Sequence, residues 1–344
     1  MPEYPPGSVS VILVNLNRAD LLRKALRSIL GEPYPGMEVI VVDNASTDGS
    51  DAMVASEFPA VRLIRNTTNK GFCEANNQGI AIARGEFIAL LNNDAEAEPG
   101  WLGALVRAIS RSPRTGMAAS KILVFEDPRR LDKAGHLIFF DGQNRGRGSG
   151  ETDTGQYDTM EDVLWPDGCA ALYRHTMLDE IGAFDEDFFA YADDAELGMR
   201  ARLAGWSCVY APQAVVRHHR GATLGVRSLR RVELIERNRV LLAAKLFPWS
   251  LLWLNGVFYL ARLAAGLWAG ITGRGEISRF PGWKNKFLVA KAMLRADVEA
   301  LTMLPRMLGK RKAIRRIRKL STMETLRLLW KHRISLKELS QQSI

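Results

Sequence analysis

The 344-residue chain has only three cysteines, Cys73, Cys169 and Cys208, far apart and odd in number. That argues against a disulfide framework and against a clustered zinc site. A membrane-spanning helix needs about 20 consecutive apolar residues, and the chain lacks such a run. Its most apolar stretch, 247–273, is interrupted by Pro248, Asn255 and Arg262. No internal repeat is visible, and no Ser-His-Asp or Cys-His arrangement for nucleophilic catalysis is evident. The N-terminus, "MPEYPPGSVSVILVNLN", carries no basic leader and runs straight into a strand, so the expectation is a cytosolic catalytic domain. The chain also lacks net positive charge outside its tail. Residues 281–344 hold 16 Lys/Arg against 4 Asp/Glu, a net of +12, so a total of +9 leaves −3 for residues 1–280. An anionic partner would therefore meet the tail.

What is present reads as an α/β protein. "SVSVILVNLN" (8–17) is a buried strand, and 19–31 an amphipathic helix with Leu22, Ala25, Leu26, Ile29 and Leu30 on one face and Gly31 at its end. Strand, polar turn and helix recur over 37–57. A strand follows at 61–66, a helix at 71–85 and a strand at 86–94. This alternation predicts a mostly parallel sheet with helices on both faces. Ligands in such sheets sit at the carboxyl ends of the strands. Three polar clusters fall there: Asn15–Asn17, Asp43–Asn44 and Asn92–Asp94.

Beyond residue 117 the pattern loosens. Residues 135–158 read as a hairpin with a Gly-rich loop, and 161–223 are dense in acids and aromatics. "DAELGMRARLAG" predicts a helix stopped by Gly205, while "WSCVYAP" and "QAVVRHH" predict two strands. A catalytic domain over 1–228 and a helical region over 229–344 are expected. In the latter, 247–273 predicts a pair of helices lying in or shallowly inserted into a membrane surface. The segment 308–321 predicts a basic helix with Ile314, Ile317 and Leu320 on one face, suited to an anionic bilayer. The alternative for this region is a helical subdomain packed on the catalytic core or on a second copy of the chain.

Several stretches carry chemistry, each with a plainer alternative. "VVDNASTDGS" places Asp43 after a strand, where it can accept a base's imide N–H or simply cap a turn. "NKGFCEANNQG" offers a helix start, which favours phosphate, or an ordinary helix start with solvated Asn residues. "LNND" (91–94) puts one acid beside two amides. That suits Mg²⁺ or Mn²⁺ held together with a diphosphate, and it also suits a β-turn. "FDEDFFAYADDAELGMR" sets Asp193, Asp194 and Glu196 at a helix start beside Phe188, Phe189 and Tyr191. The plainer alternative is helix capping, with Glu196 and Arg200 an i,i+4 pair; but capping needs one acid, and a carboxylate in partly apolar surroundings suits a general base. His218 and His219 follow a strand, and only one of two neighbours can face a site.

In their order, "VNLNR", "VIVVDNASTDGS", "NKGFCEANNQG", "LLNNDAEAEPGWL", "DGCAALYR", "FDEDFFAYADDAELGMRARLAGW" and "VVRHHRGAT" make residues 8–225 resemble glycosyltransferase family 2, most of all its bacterial rhamnosyltransferase-like branch. Around "DDAE" there is also some likeness to galactofuranosyltransferases. The resemblance implies a GT-A fold and inverting transfer from a nucleotide diphosphate sugar, with dTDP-rhamnose the first expectation and a UDP-hexose or UDP-galactofuranose the alternative. It implies Asp194 as general base and Asp94 with His218, in an H-x-x-G pattern ending at Gly221, around a divalent metal (Mg²⁺ or Mn²⁺). Asn15, Asn17, Asp43, Lys70, Gly71, Asn76, Asn92 and Asn93 would contact the donor, and Gly168, Asp193 and Glu196 the sugar or acceptor. Asn92 departs from the family's Asp-x-Asp and lowers the site's charge by one.

The acceptor implied is a hydroxyl of a glycan, lipid-linked in keeping with the tail. The expected location is the cytoplasmic face of the inner membrane, with an anionic membrane surface and a second copy of the chain as further partners. A non-catalytic scaffold on the same fold is the rival reading. A nucleic-acid binder is disfavoured, because the basic cluster lacks stacking aromatics nearer than Trp330.

Overall fold

The structure is a computed structural model, and it describes residues 4–220, 228–271, 280 and 282–341. The first half alternates as expected: β1 (Val9–Asn15), α1 (Ala19–Leu30), β2 (Met37–Asp43), α2 (Ser50–Glu57), β3 (Arg62–Arg65), α3 (Gly71–Ile82) and β4 (Phe87–Leu91). Strands β4, β1, β2 and β3 lie side by side and parallel. The reason is legible along β1. Val9, Val11 and Leu13 enter one core and Ile12 the other, so both faces of the strand are covered by apolar groups. The first face receives Leu22 and Leu26 of α1, and the second receives Cys73, Ala75 and Ile80 of α3. Burying one such leucine contributes about 2 kcal/mol.

The second half reverses direction. After β5 (Ala95–Ala97) and α4 (Trp101–Ile109) come β6 (Thr115–Val124), β7 (Leu131–Lys133), β8 (His136–Ile138), β9 (Asn144–Gly146), β10 (Glu161–Asp162) and β11 (Ala170–Arg174). Then follow α5 (His175–Ile181), a short 3-10 turn (Glu186–Phe188), α6 (Asp193–Leu203) and β12 (Ser207–His218). Strand β11 runs antiparallel between β4 and β6, which makes the sheet mixed. The two strands expected over 206–219 are one, β12, with a register shift between Ala211 and Val215 around Pro212. Proline cannot donate to the ladder, so the strand bulges there and continues. The expected hairpin over 135–158 is smaller, a β8–β9 pair spanning 136–146.

The C-terminal region is helical: α7 (Leu229–Leu246), α8 (Trp249–Ile271), α9 (Trp283–Ile317), α10 (Thr322–Lys331) and α11 (Leu336–Gln341). Leu241, Leu242 and Phe247 belong to the same core as Ile12 and Ile88, so this region packs into the core beneath the sheet. The helix pair expected over 247–273 is instead the single helix α8. Pro248 precedes it, and Arg262 is held by Asp141 and Glu236, so neither interrupts it. By length and composition α8 could cross a membrane, but those mid-helix ion pairs fasten it along the protein. The basic stretch 308–321 is no separate helix. It ends the 35-residue α9, and Met307 and Ile314 face the core. Lys310 pairs with Asp185 and Asp187, Lys319 with Glu180, and Arg311 donates to the carbonyls of Ala244 and Phe247. Part of that cluster therefore binds protein, while Lys312, Arg315 and Arg316 stay on the surface.

Candidate active site

Parallel register places Asn15 opposite Asp43 at the carboxyl ends of β1 and β2. A side-chain relay ties three strand ends together. Asn93 Nδ2 donates to Asn15 Oδ1 (2.8 Å), and Asn15 Nδ2 donates to Asp43 Oδ1 (3.2 Å). Asp43 Oδ2 accepts from the Ser46 N–H at 3.0 Å. Asn15 is fully buried and braces the strand ends. Asn17 is exposed in the left-handed region (φ 53°), with its Oδ1 accepting the Thr47 N–H at 2.7 Å.

These ends open onto a cavity of about 990 Å³. Asn92, Asn93, Asp94, Gly71, Gly168, Asp193, Asp194 and His218 all line it. Asp94 and His218 are 124 positions apart in the sequence. The antiparallel pairing of β5 with β12 sets His218 opposite Ala95, and the His219 N–H donates to the Asp94 carbonyl at 2.9 Å. His218 Nδ1 binds Asp132 Oδ2 at 2.7 Å, and its Nε2 points at Asp94 Oδ1, 3.4 Å away. Asp94 Oδ1 is buried and accepts no hydrogen bond among the described residues. An orphaned carboxylate oxygen beside an imidazole whose other nitrogen is fixed by a carboxylate is a donor set suited to a divalent cation. Burial works against the His218 imidazolium. Cys169, Asp132 and Asp94 outweigh that and hold its pKa well above the ordinary histidine value.

Asp194 stands on another wall of the same cavity. Its Oδ2 accepts the Gly168 N–H at 3.2 Å and lies 3.6 Å from His136 Nε2. Burial raises its pKa, aided by Asp167 and opposed by His136 and Lys133. Asp193, buried beside it, is pushed well above the carboxylate range by burial and then by the Asp194 charge. Asp167 goes the other way. Burial would raise it, but the Lys133 ammonium in contact with Oδ2 and His136 Nε2 at 2.9 Å hold it well below. Donor atoms of His136, Asp167 and Asp194 lie within 4.8 Å of one another, close enough to share a metal. Lys133 already places a cation on Asp167, whereas Asp94 Oδ1 accepts no hydrogen bond among the described residues, so an ion at Asp94 and His218 would take the place of the His218 proton.

The loop before α6 sets where these acids point. Phe189, Tyr191 and Ala192 all have positive φ (62°, 67° and 55°), unfavourable for side-chain-bearing residues. Fully buried Asn238 of α7 holds them there, its Nδ2 within 2.8 Å of the carbonyls of Phe188 and Ala190 and 2.6 Å of that of Tyr191. Phe189 O also accepts the N–H groups of Phe72 and Cys73. Gly71 (φ +77°) makes that approach feasible, since a Cβ there would sit 2.5 Å from the Phe189 ring.

Three expected contact residues have partners within the protein. Glu196 is fully buried, paired with Arg200 (2.8 Å) and Lys245 (2.6 Å), because its helix face turns inward. Asn76 donates back to the Phe72 carbonyl within α3, and Lys70 pairs with Glu74. Gly221 lies outside the described residues. Sequence reasoning missed Asp132, Lys133, His136, Asp167 and Asn238. Asp167 stood in view, in "WPDGCA", but Pro-Asp-Gly reads as a turn. For the others no local spacing signals a site.

The profile described as "Glycosyl transferase family 2" matches residues 10–182. The N-acetylglucosaminyl-diphospho-decaprenol L-rhamnosyltransferase of Mycobacterium tuberculosis is 29% identical over 236 residues, covering 62% of this chain and 77% of that protein. The O-antigen biosynthesis protein RfbC of Myxococcus xanthus is 30% identical over 225 residues, 62% of this chain but 17% of that much longer protein. Among solved structures, the mannosyltransferase PcManGT of Pyrobaculum calidifontis, in complex with GDP-Man and Mn²⁺, aligns with a TM-score of 0.51 at 18% identity. It covers 94% of this chain and 87% of that one. GalNAc-T7 with UDP, GalNAc and Mn²⁺ aligns at 0.53 and 15% identity, covering 69% and 50%. Both likenesses concern the fold, which is GT-A.

Proposed function

The chain belongs to glycosyl transferase family 2 and is a glycosyltransferase, and from that premise we propose that it transfers L-rhamnose from dTDP-rhamnose, with inversion, to a hydroxyl of a lipid-linked glycan. One observation carries the mechanism: the polarised carboxylate Asp194 and the Asp94–His218 pair line one cavity. The sugar and the lipid-linked acceptor are supported by likeness to the mycobacterial rhamnosyltransferase.

An alcohol is a poor nucleophile until its proton is removed as the new bond forms. Asp194 takes that proton on Oδ2, the oxygen that Gly168 N–H orients. Its raised pKa makes it a stronger base than an exposed carboxylate, and His136 and Lys133 keep it ionisable. Asn92 and Gly71 border the donor's diphosphate, and Asp43 with Asn17 serves its base end. Gly168 leaves room for the sugar, its missing Cβ lying 3.4 Å from Phe72. Asp94 and His218 would hold Mg²⁺ or Mn²⁺, whose charge would stabilise the departing diphosphate.

The outer faces of α8 and α9 support work at a membrane surface, taken to be the cytoplasmic face of the inner membrane. Trp253, Leu260, Trp283, Phe287 and Leu301 are all more than half exposed there, a pattern that suits an interfacial helix. A screen of nucleotide sugars by thermal shift, with and without Mn²⁺ and Mg²⁺, tests the donor, because a bound donor raises apparent stability. dTDP-rhamnose should give the largest shift, and Asp194→Asn should abolish transfer while keeping it. A larger shift with a UDP-sugar would replace the donor. Folded Asp194→Asn protein that still transfers would overturn the base assignment.

A further inference from the structure

The cavity is larger than the chemistry described so far requires. Besides Asp94, Asp194 and His218, it is lined by apolar side chains of three C-terminal helices: Val232 and Ile235 of α7, Leu263 and Leu267 of α8, and Val289 and Met293 of α9. A nucleotide sugar carries no long hydrocarbon chain to fill this arm. The arm leads from the catalytic carboxylate to helices whose far sides carry Trp253 (85% exposed) and Trp283 (75% exposed).

Where the arm meets the catalytic centre stands Arg231. Its guanidinium packs 5.8 Å from the ring of Tyr191, three residues before Asp194. It has no carboxylate partner among the described residues, and it also lines the cavity. Its neighbours differ. Arg239 and Arg262 are neutralised by Glu236, Asp141 and Asp297. An arginine without a counter-charge, between an apolar channel and a reaction centre, fits an anionic group followed by hydrocarbon.

We propose that the arm between α7, α8 and α9 binds the hydrocarbon chain of the acceptor lipid, and that Arg231 binds the phosphate linking chain to sugar. The inference rests on the acceptor being lipid-linked and adds where that lipid lies. The chain enters between α8 and α9 from the bilayer surface, the phosphate halts at Arg231, and the first sugar reaches Asp194. Length thereby becomes part of recognition, because each buried methylene adds to binding.

A farnesyl diphosphate analogue with a benzophenone at the tail end, photolysed with the full chain, is the probe. Adducts are expected on Leu263, Leu267, Val289 or Met293, with competition by unlabelled farnesyl diphosphate but not by inorganic diphosphate. Met293→Trp, which fills the arm, should remove them. Arg231→Gln, at a partly exposed position, should weaken capture of the diphosphate probe about tenfold, as expected for losing one charge-assisted bond. It should leave capture of the neutral farnesol analogue unchanged. Unfolding midpoints confirm that both variants fold. Adducts confined to the Trp253 and Trp283 faces, or equal loss of both probes in Arg231→Gln, would overturn the proposal. The nucleotide-sugar thermal shift is measured on the same samples. Its absence in the wild type would count against the donor reading and leave the lipid arm standing or falling on the adducts alone.

Discussion

Asn238 donates its side-chain amide to the carbonyl of Tyr191 at 2.6 Å. Through that contact, a buried residue of a C-terminal helix fixes a loop that ends at Asp193 and Asp194. The loop holds three side-chain-bearing residues at positive φ, a conformation costing about 1–3 kcal/mol each unless its surroundings enforce it.

Replacing Asn238 with alanine should therefore cost both stability and rate. Buried carbonyls lose their donor, at about 1–3 kcal/mol for an unsatisfied group, and Asp194 loses its fixed aim. We expect a lower unfolding midpoint and a fall in kcat of about 100-fold, the scale of a small misplacement at a reacting centre. Unchanged kcat in the folded variant would show that α6 positions its acids alone.

As the proposed base, Asp194 should set a pH limb. Its pKa is raised by burial and by Asp167, so activity should climb as pH rises through a value above the ordinary carboxylate range. His136 pulls that value down, and His136→Gln should move the limb to higher pH. A pH–rate profile for kcat checks both statements.

Asp193 is a different case. Its folded pKa lies well above its unfolded one, through burial and then repulsion from Asp194. Such a group favours the fold below its unfolded pKa and loses that contribution as pH rises through its folded pKa. At neutral pH the ionised form is a liability, so Asp193→Asn should raise the unfolding midpoint, by about 2 °C for each kcal/mol relieved. The gain should vanish near pH 3, where both states are protonated. Thermal melts at the two pH values test this.

Asp132 is fully buried and holds His218 Nδ1. Asp132→Asn keeps the shape but alters the imidazole's orientation and basicity. Apparent Mn²⁺ affinity, read from Mn²⁺-dependent thermal shifts with nucleotide present, should drop about 10–100-fold, as for other outer partners of metal-bound histidines. His218→Ala should abolish the Mn²⁺ response. A response unchanged in both would move the ion to the His136–Asp167–Asp194 group.

Gly71→Ala tests the approach of two loops. The added Cβ would meet the Phe189 ring at 2.5 Å and the Phe189 carbonyl at 2.8 Å, at a φ of +77°. Destabilisation of about 1–3 kcal/mol is expected, with lower turnover, since the displaced loop carries Asp193 and Asp194. Chemical denaturation and a kcat measurement report on the two effects separately.

The alternation of strands and helices over 8–94 was readable because each β-strand there is apolar on both faces and each helix is punctuated by glycine. Asp94 and Asp194 stood out as acids at a strand end and a helix start. Glu196 could be read as a sugar or acceptor contact or as the i,i+4 partner of Arg200, because sequence distance says nothing of which helix face turns inward. Two positions on from Asp194, its carboxylate meets Arg200 and Lys245 in the core. Local composition likewise suggested a break at Arg262, whereas Asp141, 121 residues away, neutralises it and lets α8 continue.

Residue order alone therefore determined the α/β class, the polar strand ends and the helical tail, because these follow from short-range periodicity. Tertiary structure alone decided that His218 lies against Asp94, that Lys133 and His136 flank Asp167 near Asp194, and that Asn238 shapes the loop before α6. Each of these joins groups between 31 and 124 positions apart, and electrostatic coupling depends on distance through space rather than along the chain.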